Sequence, residues 1–299
     1  MPGGYSRNNR IQTFKTKKMF HLNKNSAFLL LSIVGLVFST LLLSSCAKEK
    51  GCTDPKALNY NPEAKESSGD CQYPATPAPA AQSQVTLELH QHMGAGHLNT
   101  ASTYTLLSGQ RFRMSTVRYY LSNFVLIKDN NSEVVIPNSY LLVQPSISDY
   151  SLGEIEAGTY NKIRFSIGID SSTNSGGTLP VDRPAGHPLG LQNPSMFWTW
   201  ASGYIFMKLE GTSDTLGTSS LDNPFSWHLG TNSLYRTLEI SIDPITLTPG
   251  NAGSIHLKAD LKKIVDAIDF RTERTTHTMG NKNLADKIMN LAATMFEQH

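Results

Sequence analysis

Apolar and polar positions alternate with a period of two along much of the chain. Val85, Leu87 and Leu89 are separated by Thr86, Glu88 and His90, the pattern of a strand with one buried face. Residues 121–128 (LSNFVLIK) are more continuously apolar and run through Asp129-Asn130-Asn131 into residues 133–136, which predicts a hairpin. Further strands are predicted at 140–143, 160–168, 204–209, 238–242 and 254–259, with Gly, Pro, Asn and Asp between them. This succession predicts a mainly β domain, an antiparallel β-sandwich. Two helices are predicted near the end, a short one at 261–268 and a longer one at 283–296. In the second, Leu284, Ile288, Leu291 and Met295 form one apolar stripe, with Asn283 as N-cap and Asp286 at N3. That stripe makes Met295 a core residue.

The N-terminal pattern is different. Residues 1–26 carry Arg7, Arg10, Lys15, Lys17, Lys18 and Lys24 and no acid, and an uncharged, mostly apolar run follows from Ala27 to Leu43. A basic segment, an apolar run and small residues are the parts of a secretory signal. The ending Leu43-Ser44-Ser45-Cys46 resembles a bacterial lipobox, which predicts a signal peptide at 1–45 and lipidation of Cys46. Acyl chains there would tether the protein to a membrane. Lys48-Glu49-Lys50 lacks an Asp at the second position, which fits an outer-membrane lipoprotein facing either periplasm or exterior.

This leader changes the meaning of the charge. The whole chain is formally +2, but residues 1–45 hold six of its 26 Lys/Arg and none of its 24 Asp/Glu. The remainder has 20 basic against 24 acidic residues, net −4. No basic patch interleaved with aromatics remains, so a nucleic-acid partner is not expected. With Cys46 lipidated, Cys52 and Cys71 are left as a pair in an oxidising compartment. A disulfide between them would staple residues 46–74, too polar to hold by core burial, and would stabilise this module by roughly 3 kcal/mol. Within it, Asp54, Asn59, Asn61 and Asp70 are either turn formers or hard oxygen donors for calcium. Asp170 and Asn174 are a second calcium alternative. A Pro/Ala-rich linker at 75–84 leads into the main domain, 85–299.

The chain has no G-x-S-x-G, H-E-x-x-H, P-loop or helix-opening G-x-G-x-x-G, so nothing supports an enzyme. Its metal-binding residue types are better represented. His90-Gln91-His92-Met93 places two imidazoles on one face of an extended strand, with His97 close behind. His277-Thr278-Met279 pairs imidazole with thioether, and His228 follows Trp227. Imidazole with thioether suits copper, Cu(I) in particular. Trp198 and Trp200, at i and i+2 in MFWTWASGYIFMKLEG (196–211), read either as an aromatic core element or as the lining of a site.

That tryptophan segment is similar to the M-F-W-T-W-x-S-G-Y-I-F-x-K-x-E-G hallmark of the MbnP-like family, copper-binding relatives of the partner protein found beside methanobactin operons. Arg118-Tyr119-Tyr120-Leu121-Ser122-Asn123, Gly158-Thr159-Tyr160, Ile167-Gly168-Ile169-Asp170, Trp227-His228-Leu229-Gly230 and the tail from Ala285 through Phe296 to His299 follow in the family's order. The resemblance covers 85–299. It implies one copper ion held by histidines, and a kynurenine formed from tryptophan by a dihaem partner of the cytochrome c peroxidase type. Carried onto this sequence, Trp198 or Trp200 is the modifiable residue and His228 the best-matched ligand. His90, His92 and His277 are further metal candidates. The alternative is a non-catalytic structural or interaction domain, with or without calcium, that has no copper role.

Overall fold

A computed structural model describes residues 48–75, 81–198, 203–218 and 220–299. The predicted signal peptide, Cys46, residues 76–80 of the predicted linker and Trp200 lie outside the described residues. The chain divides into two compact units, 1–78 and 79–299, and no described helix is long and apolar enough to cross a membrane.

In the first unit Lys50–Gly51 pairs in parallel with Glu66–Ser67, and Cys52 is joined to Cys71. The oxygen-bearing side chains close turns. Asn59 donates to the carbonyl of Asp70 and accepts from the amide of Gln72, and Asn61 caps the amide of Glu63. The Asp54 carboxylate accepts from the Lys56 amide and the Tyr73 hydroxyl. Those two bonds, the backbone one foremost, hold its pKa below the usual carboxylate value.

The second unit is a two-sheet sandwich. Its strands are β1 (Gln82–Met93), β2 (Gly96–His97), β3 (Arg111–Lys128), β4 (Tyr140–Val143), β5 (Asp149–Glu156), β6 (Gly158–Ile167), β7 (Met207–Asp214), β8 (Asn223–Leu229), β9 (Arg236–Leu247), β10 (Gly253–Asp260), β11 (Thr275–Thr276) and β12 (Phe296–Gln298), with short two- and three-residue strands besides. The larger sheet runs β9-β6-β3-β7-β8-β11, and β4 also pairs with β3. The smaller runs β12-β10-β1-β2, and β5 pairs with the first half of β1 on the same edge as β2. Most ladders are antiparallel as expected, but β10 lies parallel to β1 and β11 parallel to β8, so both sheets are mixed.

Period-two alternation decides which face is inside. On β1, Val85, Leu87 and Leu89 join the core while Glu88 and His90 face outward. On β8, Phe225, Trp227 and Leu229 are buried while Ser226 and His228 face outward. The two inner faces share one core, crossed by edge-on contacts of Phe296 from β12 with Tyr119 and Phe165 of the larger sheet. A helix, α1 (Lys282–Ala292), packs Leu284, Ile288 and Met289 into that core, and Met295 is fully buried beyond it.

Several boundaries differ from the sequence reading, among them the short helix, which spans only Lys262–Val265. The α1 cap is Asn281, whose side chain accepts from the Leu284 amide, and not Asn283. The helix stops at Ala292, because Phe296 has to enter β12 beside β10. The strand predicted at 204–209 is interrupted at Ile205-Phe206. There Phe206 turns its carbonyl to the Tyr120 amide and packs so closely on Gly168 that any β-carbon would lie 2.4 Å from its ring.

Candidate metal centre

The excursion between β6 and β7 covers the outer face of the larger sheet. Arg118, outward on β3, donates to the carbonyl of Pro194 and the side chain of Gln192. Tyr120 donates to the carbonyl of Pro188, and outward Lys208 on β7 reaches the Ser195 carbonyl. These anchors deliver Trp198, 8% exposed, into a short ladder in which it opposes Gly203 while Phe197 opposes Tyr204. The Trp198 ring lies against Gly230, where a β-carbon would stand 2.8 Å from one ring carbon and 2.3 Å from the Tyr204 carbonyl oxygen. Only glycine fits there, which explains the last residue of Trp227-His228-Leu229-Gly230.

Trp198, His277, Thr278 and Met279 line one open cavity of about 210 Å³, with Asn174 and Asn232 on its rim. Thr278 is buried, with φ +60°. Its hydroxyl accepts from the Gly230 amide and donates to the His228 carbonyl. This clamp fixes the segment to the end of β8 and leaves His277 and Met279 exposed on either side of it. Asp170 and Asn174 serve as scaffold. Asp170 caps the helix Ser171–Asn174 and accepts from Tyr140, while Asn174 holds the Tyr204 amide and Asn232.

His228 lies behind the cavity. Its Nε2 is 2.7 Å from Glu210 Oε1 on β7, and its ring stacks 4.7 Å from His277 at 4°. Burial pulls the His228 pKa down against the opposing pull of Glu210. Burial raises that of Glu210, but bonds to His228 and Thr116 carry it below the usual value. An ionised Glu210 can only accept, so Nε2 carries the proton and Nδ1 presents the lone pair. A carboxylate behind an imidazole is the usual outer-shell support of a metal ligand. The stack itself sets a limit: ligand lone pairs lie in the ring planes, and parallel planes do not meet at one ion. His277 must therefore swing if both rings are to share a metal.

The four histidines singled out by sequence thus separate. His228 and His277 belong to the outer face of the larger sheet. His90 and His92 belong to the outer face of the smaller one, where His97 and His299 join them. Ring centres there are 5.5 Å apart for His90–His97, 4.8 Å for His90–His299, 4.5 Å for His92–His97 and 5.3 Å for His92–His299. His97 was noticed in sequence only as a neighbour and His299 only as part of a tail motif. Among the described residues, no three His, Cys, Asp or Glu side chains already present their donors in ligating geometry.

A β-sandwich with an aromatic cavity flanked by imidazole and thioether is the class defined by this fold and site. The pattern of the MbnP family matches residues 82–283, about two thirds of the chain, and the chain belongs to that family. Among solved structures it is similar to MbnP from Methylosinus trichosporium, at 14% identity, a TM-score of 0.44, and coverage of 63% of this chain and 79% of that one. A search of curated proteins finds no match.

Proposed function

We propose that the protein is an exported, membrane-tethered copper-binding lipoprotein and that copper is held in the Trp198 cavity by His277 and Met279. The observation that carries this reading is the meeting of Trp198, His277 and Met279 at one cavity, with His228 and its Glu210 support directly behind. An imidazole and a thioether without thiolate form a soft donor set that fits Cu(I) better than a hard cation. The Trp198 ring walls one side, so oxidation of Trp198 to kynurenine by a dihaem partner would add a carbonyl and an amine at that wall; Trp200 is the other candidate for the modification. No residue here is assigned a catalytic role.

Competition titration of the full chain against a Cu(I) chelator tests the reading. One equivalent is expected to bind, with affinity falling through about pH 6.5 as imidazole protonates, and to be lost in His277→Ala and Met279→Ala. Unchanged binding in both variants sinks the assignment. Absence of any binding by protein from its native host favours the structural or interaction domain. Intact mass of the same sample shows whether a tryptophan has become kynurenine.

A further inference from the structure

We infer a second metal centre, independent of the Trp198 cavity, built from His90, His92, His97 and His299 on the opposite face of the sandwich and suited to Zn²⁺ or Cu²⁺. Three elements bring the rings together. His90 and His92 project from the same face of β1. The Gly94-Ala95 turn then folds β2 back so that His97 is the cross-strand partner of His92. Gly94 takes φ +70° in that turn, and its amide is pinned by Asp260 Oδ1 at 2.8 Å. His299 arrives from β12, its amide bonded to the carbonyl of His256 on β10, the strand between β12 and β1.

The spacing agrees with a four-imidazole site. A metal roughly 2.0–2.1 Å from a ring nitrogen stands about 3.2 Å from the ring centre; four such centres are about 5.2 Å apart in a tetrahedron, or about 4.5 Å along the edges and 6.4 Å across in a square. The observed edges run from 4.5 to 5.5 Å, and the His97–His299 diagonal is 6.5 Å. The edges bracket both ideal values, and the diagonal is close to that of a square. Among the described residues no three such side chains are yet arranged to hold a metal ion, but His97 and His299 are exposed, so binding here requires their side chains to rotate toward His90 and His92.

His92 supplies an independent observation. It is 7% exposed, yet its Nε2 is buried with no hydrogen-bond partner. A buried ring nitrogen that no protein group satisfies is a position that a metal ion would fill. A buried polar atom left unpaired otherwise costs on the order of 1–3 kcal/mol. The neighbouring charges are already paired: Lys258 with Glu297, His256 with Glu88 and Lys262 with Asp266. The donor set is four imidazoles with neither sulfur nor carboxylate, which selects Zn²⁺ or Cu²⁺ over Cu(I), Ca²⁺ or Mg²⁺.

The test is titration of the full chain carrying His277→Ala, which disables the Trp198 cavity, with Zn²⁺ and separately Cu²⁺ against a chromophoric chelator. One equivalent of either ion is expected, with nitrogen hyperfine structure in the Cu²⁺ electron paramagnetic resonance spectrum. His97→Ala and His299→Ala, both at exposed positions, should each weaken binding by at least about 10–100-fold, the loss caused even by outer-shell changes. His92→Ala should do the same while circular dichroism confirms the fold. Uptake only at millimolar metal, or affinity kept within about threefold in both exposed variants, overturns the second centre. Because Cu(I) binding at His277 is measured separately, failure of either site leaves the other standing.

Discussion

Gly230→Ala is the substitution that most sharply tests how the Trp198 cavity is built. The new methyl would lie 2.3 Å from the Tyr204 carbonyl oxygen and 2.8 and 3.0 Å from two Trp198 ring carbons. The first contact is about 1 Å inside the closest ordinary carbon–oxygen approach of about 3.3 Å. Tyr204 cannot yield cheaply, because its amide is held by Asn174 and its hydroxyl by the Leu189 carbonyl. Overpacking of this kind costs about 1–3 kcal/mol, while the entropy an alanine removes from the unfolded chain returns about 0.4–1 kcal/mol. A net loss of about 1–2 kcal/mol is expected, read as a lower urea midpoint at unchanged slope. Trp198 should move outward, so Cu(I) affinity should fall while zinc uptake at the four-histidine face stays the same. A midpoint equal to wild type, with copper affinity retained, would refute the reasoning that glycine is needed there to seat the indole.

Other substitutions probe the supports one at a time. Thr278→Val removes the hydroxyl that serves Gly230 and His228 and should cost about 1–3 kcal/mol in chemical denaturation, because a buried amide loses its partner. Asn281→Ala deletes the α1 cap and should cost about 1 kcal/mol, whereas Asn283→Ala should be nearly neutral; the reverse order would restore Asn283 as the cap. Burial, with Arg183 nearby, lowers the pKa of His187, whose Nδ1 accepts the Leu189 amide, and burial likewise lowers that of His228. The unfolded chain therefore binds more protons than the folded one below about pH 6.5, so stability should fall as pH drops from there. A urea midpoint that stays level or rises between pH 7.5 and 5.5 would contradict this.

Much of the fold is legible in alternation alone. The pattern at Val85–Leu89 places inner and outer faces correctly, and His90 with His92 on one face follows from it; the apolar run at 121–128 shows a strand but not its faces. Pairing is another matter. The parallel ladder of β10 with β1 and the return of β12 to β10 bring His299 to His90 across more than two hundred residues. No local pattern carries that information, so the sequence showed the H-x-H pair and not its closing ligands. Asn281 and Asn283 are both plausible caps chemically, and only the packing of Leu284 into the core selects between them. His277 and Met279 were readable as a donor pair, but their approach to Trp198 depends on the Thr278 clamp, a tertiary contact.

X-ray absorption at the copper edge of Cu(I)-loaded protein tests the central claim most directly. The account predicts a sulfur scatterer together with nitrogen, the sulfur disappearing in Met279→Leu and the affinity falling in His277→Ala. A shell of nitrogen and oxygen alone, unaltered by either substitution, would contradict it.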